Sequence, residues 1–373
     1  MFDLSDQQKD IRQAAREFAE GEFPDIAQES DEKEIFPIDA WKEAGQSGFL
    51  GVFIDERFKG AGLGILDYAI LLEEFWRVDP GCGNILLSTL GSEFIHDYGS
   101  EEQKTEYLPP LTKAEALMGV VPGQDHAYED FRYTNNDGKD YILNGSSRFV
   151  FNGSTAAHLV VVAQDSASIG KFTTFIVEGW RPGITATKLR DKLGVRASDV
   201  AEVVLVDVTV PPGNIIGFEG QGREQLDAFF EKLSIYNSAQ AIGASQGCLE
   251  RAIRYSRQRA QFGRPIGWFH MVQFKISEMA ARLEAARTFC YEAALGFDRG
   301  RIDRKALSMA SWFSREAASL VTTETLQIHG GYGYMKDLDV ERFYRDVQFL
   351  EFFGTSRENE KMRTAQILLG KLE

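Results

Sequence analysis

Along residues 4–118 the apolar positions recur at helical intervals. Ser5 and Gln8 stand in capping-box spacing ahead of Ile11, Ala14, Ala15 and Phe18, the pattern that opens an amphipathic helix. Glycine- and proline-containing stretches, GFLGVF, KGAGLG and DPGCG, punctuate the later helices of this zone. KGAGLG follows no clear strand and opens no βαβ unit, so it reads as a turn between packed helices and not as a phosphate loop. From about 119 to 218 the period shortens to that of strands, in ALMGVV, DYILNGSSRFVFNG, HLVVVAQ, KFTTFIVEG and VAEVVLVDVTVP, divided by turn residues such as Asn135-Asn136-Asp137-Gly138. After Pro211-Pro212 and Gly220 the helical spacing returns. Phe274, Ile276, Met279, Leu283, Ala286 and Cys290 form one stripe, and Ala306, Met309, Phe313, Ala317 and Leu320 another. Such stripes are core first, and part of that core can lie between subunits.

These patterns predict an α+β multidomain chain: an N-terminal helical domain (1–118), a central β domain (119–220) and a C-terminal four-helix bundle (221–373). The length of 373 residues exceeds the usual single-domain range and agrees with that division. Composition narrows the function. A hydrophobic share of 43% and a charged share of 26% are those of an ordinary soluble globular protein. A formal charge of −15 and a pI near 5.0 leave no domain-wide basic surface for nucleic acid. Cys82, Cys248 and Cys290 are odd in number, far apart and without a CxxC pair, which suits reduced thiols in a cytoplasm. His96, His126, His158, His270 and His329 lack metal-ligand spacing, so a metal site is not expected. The N-terminus has no signal-type apolar core and no window approaches a membrane span, so a cytoplasmic location is expected.

The order helical, β, helical, with RQRAQFGRPIGWFHMVQFKISEMA at 257–280, QIHGGYGYMKDLDVERFYRD at 327–346 and LGVRASDVAEVVLVDVTVP at 193–211, resembles the acyl-CoA dehydrogenase family over essentially the whole chain. The resemblance implies an FAD flavoprotein that removes the α and β hydrogens of an acyl-CoA thioester. That chemistry asks for a carboxylate to take the α-proton, hydrogen bonds on the thioester carbonyl, and a flavin to receive the hydride. An electron-transfer flavoprotein is the implied electron acceptor.

In the family each flavin sits at a subunit boundary. The residues that reach a neighbour's flavin, an RxxFG motif and a QxxGG motif, are intact as Arg259, Phe262, Gln327, Gly330 and Gly331. Arg259 offers a delocalised cation suited to a pyrophosphate, and the glycine pair lets backbone approach a ligand closely. The plainer alternative is a helix cap at Gly330-Gly331 and an ion pair at Arg259. The residues for the chain's own flavin depart from the family. A pattern like VTEPxxGSD is replaced by VVPGQDHAYED at 120–130, and WITNG by FVFNG at 149–153, so Phe151 stands where a hydroxyl residue would bond near the flavin. Phe149 and Phe151 alternatively face the β-domain core on alternate positions.

The base is also missing. Arg345-Asp346 and the turn Gly354-Thr355-Ser356 match the family's segment, with Thr355 among the implied cofactor contacts. Yet Phe353 occupies the position of the catalytic glutamate, and the interval is one residue shorter. Glu351 is the nearest substitute, and an α-helical course through it would aim it away. Where other family members carry the glutamate after the β domain, this chain has Leu233 and Ser234, with Glu231 just before. Glu93, His96 and Asp97 form one further polar group.

Intact cross-subunit motifs beside eroded local ones predict one subunit of a hetero-oligomeric acyl-CoA dehydrogenase, working beside a paralogous, complete subunit. Two alternatives stand: a homo-oligomeric FAD enzyme with a displaced carboxylate (Glu351, Glu93 or Asp97), and an acyl-CoA-binding or scaffold subunit without a redox role.

Overall fold

The computed structural model describes residues 2–121, 131–136 and 139–370. Seven helices come first: α1 (Asp6–Glu22), α2 (Ala27–Lys33), α3 (Ile38–Gln46), α4 (Ile65–Val78), α5 (Pro80–Gly83), α6 (Ser92–Tyr98) and α7 (Glu101–Thr112). Seven strands follow: β1 (Met118–Val121), β2 (Phe131–Asn136), β3 (Asp140–Phe151), β4 (His158–Asp165), β5 (Phe172–Glu178), β6 (Ile184–Lys188) and β7 (Val200–Val210). The chain then returns to helix in α8 (Gly222–Gln258), makes a two-residue hairpin of β8 (Ala260–Gln261) and β9 (Arg264–Pro265), and ends in α9 (His270–Asp298), α10 (Arg304–His329), α11 (Val340–Val347) and α12 (Arg357–Leu369). The capping box at Ser5 and Gln8 forms as its spacing predicts.

Two strands escape the sequence pattern. β2 is FRYTNN, whose outer half is wholly exposed, and β6 is ITATK, exposed at its three central positions. Neither carries the apolar run that marks the other strands, because β6 lies at the sheet edge and β2 buries only Phe131 and Tyr133. The sheet runs β1-β4-β2-β3-β7-β6, with β5 paired antiparallel to β4. A register shift between Ser147 and Val150 inserts an extra residue into β3 against β7. Val150 enters the core of the sheet, while Ser147, Phe149 and Phe151 share the opposite face.

The helical stripes are partly corrected. On α9, Met279, Leu283, Ala286 and Cys290 are buried, but Phe274 is 68% exposed. On α10 the buried face runs through Leu307, Ala310, Ser311, Ser314, Ala318 and Val321, while Met309, Phe313 and Leu320 lie half-buried on its flank. Small and hydroxyl residues hide this face from a hydrophobicity pattern. They let α10 lie close against α8, its most extensive neighbour.

α8 is the axis of the helical part and packs on α4, α9 and α10. Its contact with α4 depends on Gly243 and Gly247, one turn apart. A Cβ at Gly243 would collide with the carbonyl oxygen of Glu73, and one at Gly247 with that of Arg77. Gly247→Ala should therefore force the two helices apart and destabilise the fold by about 1–3 kcal/mol, the usual cost of overpacking. Thermal denaturation followed by circular dichroism checks this, and an unchanged midpoint would show that the contact relaxes freely.

Candidate functional site

The FLEFFGTS segment of residues 349–356 is held by a buried guanidinium. Arg315, on α10 and 2% exposed, donates to the carbonyl oxygens of Leu350 (3.0 Å) and Thr355 (2.6 Å) and also to the Ser311 carbonyl. Asn237 of α8 donates to the Phe353 carbonyl at 2.7 Å. Gly354 adopts φ +87°, a conformation that favours glycine, and a Cβ there would sit 2.7 Å from the Leu233 side chain. The turn is thus fixed from both sides, with Phe353 directed inward.

Inward is a cavity of about 520 Å³ between the sheet and the helices, lined among others by Leu90, Val120, Val200, Phe229 and Leu233. Phe151 meets both Phe349 (ring centroids 5.9 Å apart) and Phe353 (5.7 Å), and Phe349 stacks on Phe353 at 4.4 Å. Phe149 packs on Phe352 at 6.1 Å. Of the two readings of Phe149 and Phe151 left open by the sequence, the β-sheet core is excluded, since both line this cavity. Hence Phe151 and Phe353, at the two positions where the family resemblance implies a hydroxyl and a carboxylate, lie opposite one another and touch.

Among the described residues no carboxylate lines this cavity. Glu351 ends a short 3-10 turn over Gln348–Glu351, lies outside the cavity lining, and faces Arg357 at 3.4 Å. Glu93 is buried and accepts the Gly91 N–H at 2.8 Å, and burial pushes its pKa up. Asp97 takes the Lys232 ammonium at 2.6 Å and His96 at 3.0 Å. Burial alone would raise its pKa, but these partners outweigh it and hold the carboxyl below the usual range. Glu231 receives Arg304 at 2.6 Å. Thr355 is buried and its hydroxyl donates to Glu360 at 2.5 Å, so its side chain is already engaged within the chain. Most of the VVPGQDHAYED departure, with His126, and Asp137-Gly138 of the predicted turn, lie outside the described residues.

The cavity wall formed by Leu189–Val195 is tied to α11. Val195 donates its N–H to the Asp346 carboxylate at 2.6 Å, and Arg345 donates to the Leu193 carbonyl at 2.8 Å while pairing with Asp31 and Glu341. Asp346 is fully buried, and its second oxygen has no partner. Burial, with the nearby Asp79 charge, pushes its pKa up to about 8.

Far from this cavity, the RxxFG and QxxGG residues gather on one exposed face. Arg259 caps α8 and lies over the Tyr332 ring at 5.7 Å, and no carboxylate among the described residues pairs with it. Arg259, Gly330 and Gly331 line one open groove of about 400 Å³. Phe262 and Gly263 form the two-residue turn of the β8–β9 hairpin, both at positive φ (+51° and +78°), and the Phe262 side chain is 92% exposed. Such a turn suits glycine or asparagine at each position, so a projecting phenylalanine there is held against its backbone preference. Gln327 is exposed on the last turn of α10, and its carbonyl accepts the Gly330 N–H. Gly330 does cap α10, at φ +60°. A Cβ on either glycine would meet nothing in this chain, so any close approach there comes from outside it.

Comparison with known proteins agrees with this three-part plan. Models of the acyl-CoA dehydrogenase N-terminal, middle and C-terminal domains match residues 5–115, 123–208 and 220–369. This chain belongs to the acyl-CoA dehydrogenase family. It is 34% identical to the acyl-CoA dehydrogenase of Bacillus subtilis (strain 168), over 98% of this chain and 99% of that one. It is also 34% identical to the acryloyl-CoA reductase (NADH) of Anaerotignum propionicum, over 98% and 95%. The structure of butyryl-CoA dehydrogenase from Megasphaera elsdenii superposes with a TM-score of 0.94 at 32% identity, covering 99% of this chain and 100% of that one. Acyl-CoA dehydrogenases are FAD-dependent oxidoreductases, and the fold described above is theirs. Among the described residues no helix is long and apolar enough to cross a membrane.

Sequence reasoning missed Arg315, Lys192 and Phe349. Arg315 sits within an ordinary helical stretch. Only the cluster of three phenylalanines in FLEFFG signals the aromatic wall. The buried Asp346 yields a pH prediction. Its carboxyl holds a proton more tightly folded than unfolded, where its pKa is near 3.8, so its contribution to stability falls as pH rises from about 4 to about 8. Asp346→Asn should flatten the melting-temperature profile across that window while retaining an acceptor for Val195. Parallel profiles for the two proteins would place the titration elsewhere.

Proposed function

We propose that this chain is one subunit of a hetero-oligomeric acyl-CoA dehydrogenase. It lends Arg259, Phe262, Gln327, Gly330 and Gly331 to an FAD housed by a paralogous subunit, which supplies the base that takes the α-proton of an acyl-CoA thioester. An FAD held there would supply the hydride acceptor, with an electron-transfer flavoprotein as the onward electron acceptor. The observation that carries this reading is an aromatic cavity with no carboxylate among its described lining residues, in which the rings of Phe151 and Phe353 occupy the two positions that the family resemblance implies should be polar.

The cofactor fits the two ends of this chain differently. At the exposed face, Arg259 retains guanidinium donors for a pyrophosphate, and the open glycine pair admits a ligand or a partner's backbone. In the cavity, no described carboxylate stands ready as base, Thr355 is engaged by Glu360, and the phenylalanine rings hold the space beside β3. Glu351 stays a poor base for the same reason: it faces Arg357 outside the cavity lining.

Co-expression with a paralogous partner should give about half the flavin per chain of an ordinary family assembly. Arg259→Ala in this chain alone should then weaken the partner's hold on FAD by roughly tenfold or more, the scale of losing a charge-assisted hydrogen bond. Flavin release on dilution reads this out. A fully flavinated, active assembly of this chain by itself would refute the proposal.

A further inference from the structure

The aromatic cavity is not left without chemistry. Its lining contains two ionisable side chains, Lys192 and Arg345, both cationic, and two neutral polar ones, Ser147 and Gln348. Arg345 is committed to Asp31, Glu341 and the Leu193 carbonyl, and the Gln348 amide donates to the Tyr344 carbonyl. Lys192 is uncommitted by comparison. Its ammonium has one long contact, 3.4 Å to the Leu189 carbonyl, and no carboxylate within ion-pair distance among the described residues. Burial pushes its pKa below the usual lysine range, outweighing the more distant Glu34 and Asp199 charges that favour the ammonium. Ser147 is buried, and it too lines the cavity. Apolar walls with a few convergent polar groups, in a volume of about 520 Å³, describe a small-molecule site.

We propose that this cavity binds an apolar monocarboxylate, with its carboxylate held by Lys192 and its hydrocarbon or aryl part between the phenylalanine rings. The inference deepens the proposed function and rests on its reading that the chain does not seat its own flavin there. Charge decides the ligand class: a cavity whose described lining holds no carboxylate and one ammonium without an ion pair favours a single negative charge, and the rings favour an apolar or aromatic body. Occupancy by such an acid fills the space beside β3 and the 349–353 turn, and gives Lys192 an ion pair at contact distance. No bond is made or broken.

The test is binding to the purified full-length chain by titration calorimetry, using decanoate and 3-phenylpropionate beside decanol and 3-phenylpropanol. Flavin absorbance is recorded before any ligand is added. The acids should bind at one site per chain, about ten- to a hundredfold more tightly than the matching alcohols, the range of a hydrogen bond to a charged group. Lys192→Met should remove that preference and leave the alcohols unchanged, whereas Lys192→Arg should keep most of it. Equal affinity of acids and alcohols, or a preference that survives Lys192→Met, would overturn the inference. So would a flavin-free chain that takes up neither acid, and that outcome leaves the hetero-oligomer reading intact. A chain already carrying one flavin apiece removes both.

Discussion

One buried cation sets the geometry of the site. Arg315 has lost its water, and backbone carbonyls of the Leu350–Thr355 turn provide much of its replacement solvation. Because a buried charge tolerates little loss of partners, the turn has one arrangement, and the residue at 353 has one direction. At that position the side chain lines the cavity. In this chain that side chain is a phenylalanine, and the same scaffolding that could aim a carboxylate instead completes an aromatic wall.

The two sequence departures are therefore one physical event. A phenylalanine at 151 alone would thrust a ring toward a polar partner, and one at 353 alone would face a polar strand. Together with Phe349 they satisfy each other through ring contacts, each worth about 0.5–1.5 kcal/mol beyond the area they bury. The exposed face shows the reverse economy. Phe262 stands in solvent on a left-handed backbone, and Arg259 has only the Tyr332 ring beneath it. Neither arrangement is explained by contacts within one chain.

Most of the fold was legible because its signals are local: the Ser5 capping box, the strand runs and the helical return after Gly220. β6 was not, since an exposed edge strand need not be apolar, and α10's buried face was concealed by serines whose value is their small size. The arm motifs and the substitutions at 151 and 353 could be read from the chain through family resemblance. That Phe151 touches Phe353 could not, because they are distant in sequence and only the fold brings them together. Lys192 gave no signal for the same reason: its place in the lining of the cavity is a property of three-dimensional surroundings and not of spacing.

α8 runs unbroken from the cavity to the hairpin, with Leu233 at one site and Arg259 at the other. At about 1.5 Å per residue, the 26 residues between them span roughly 39 Å along the helix. The helix is a spacer that holds the cavity and the Arg259 face apart. A ligand that touched both places at once would have to bridge that length of helix.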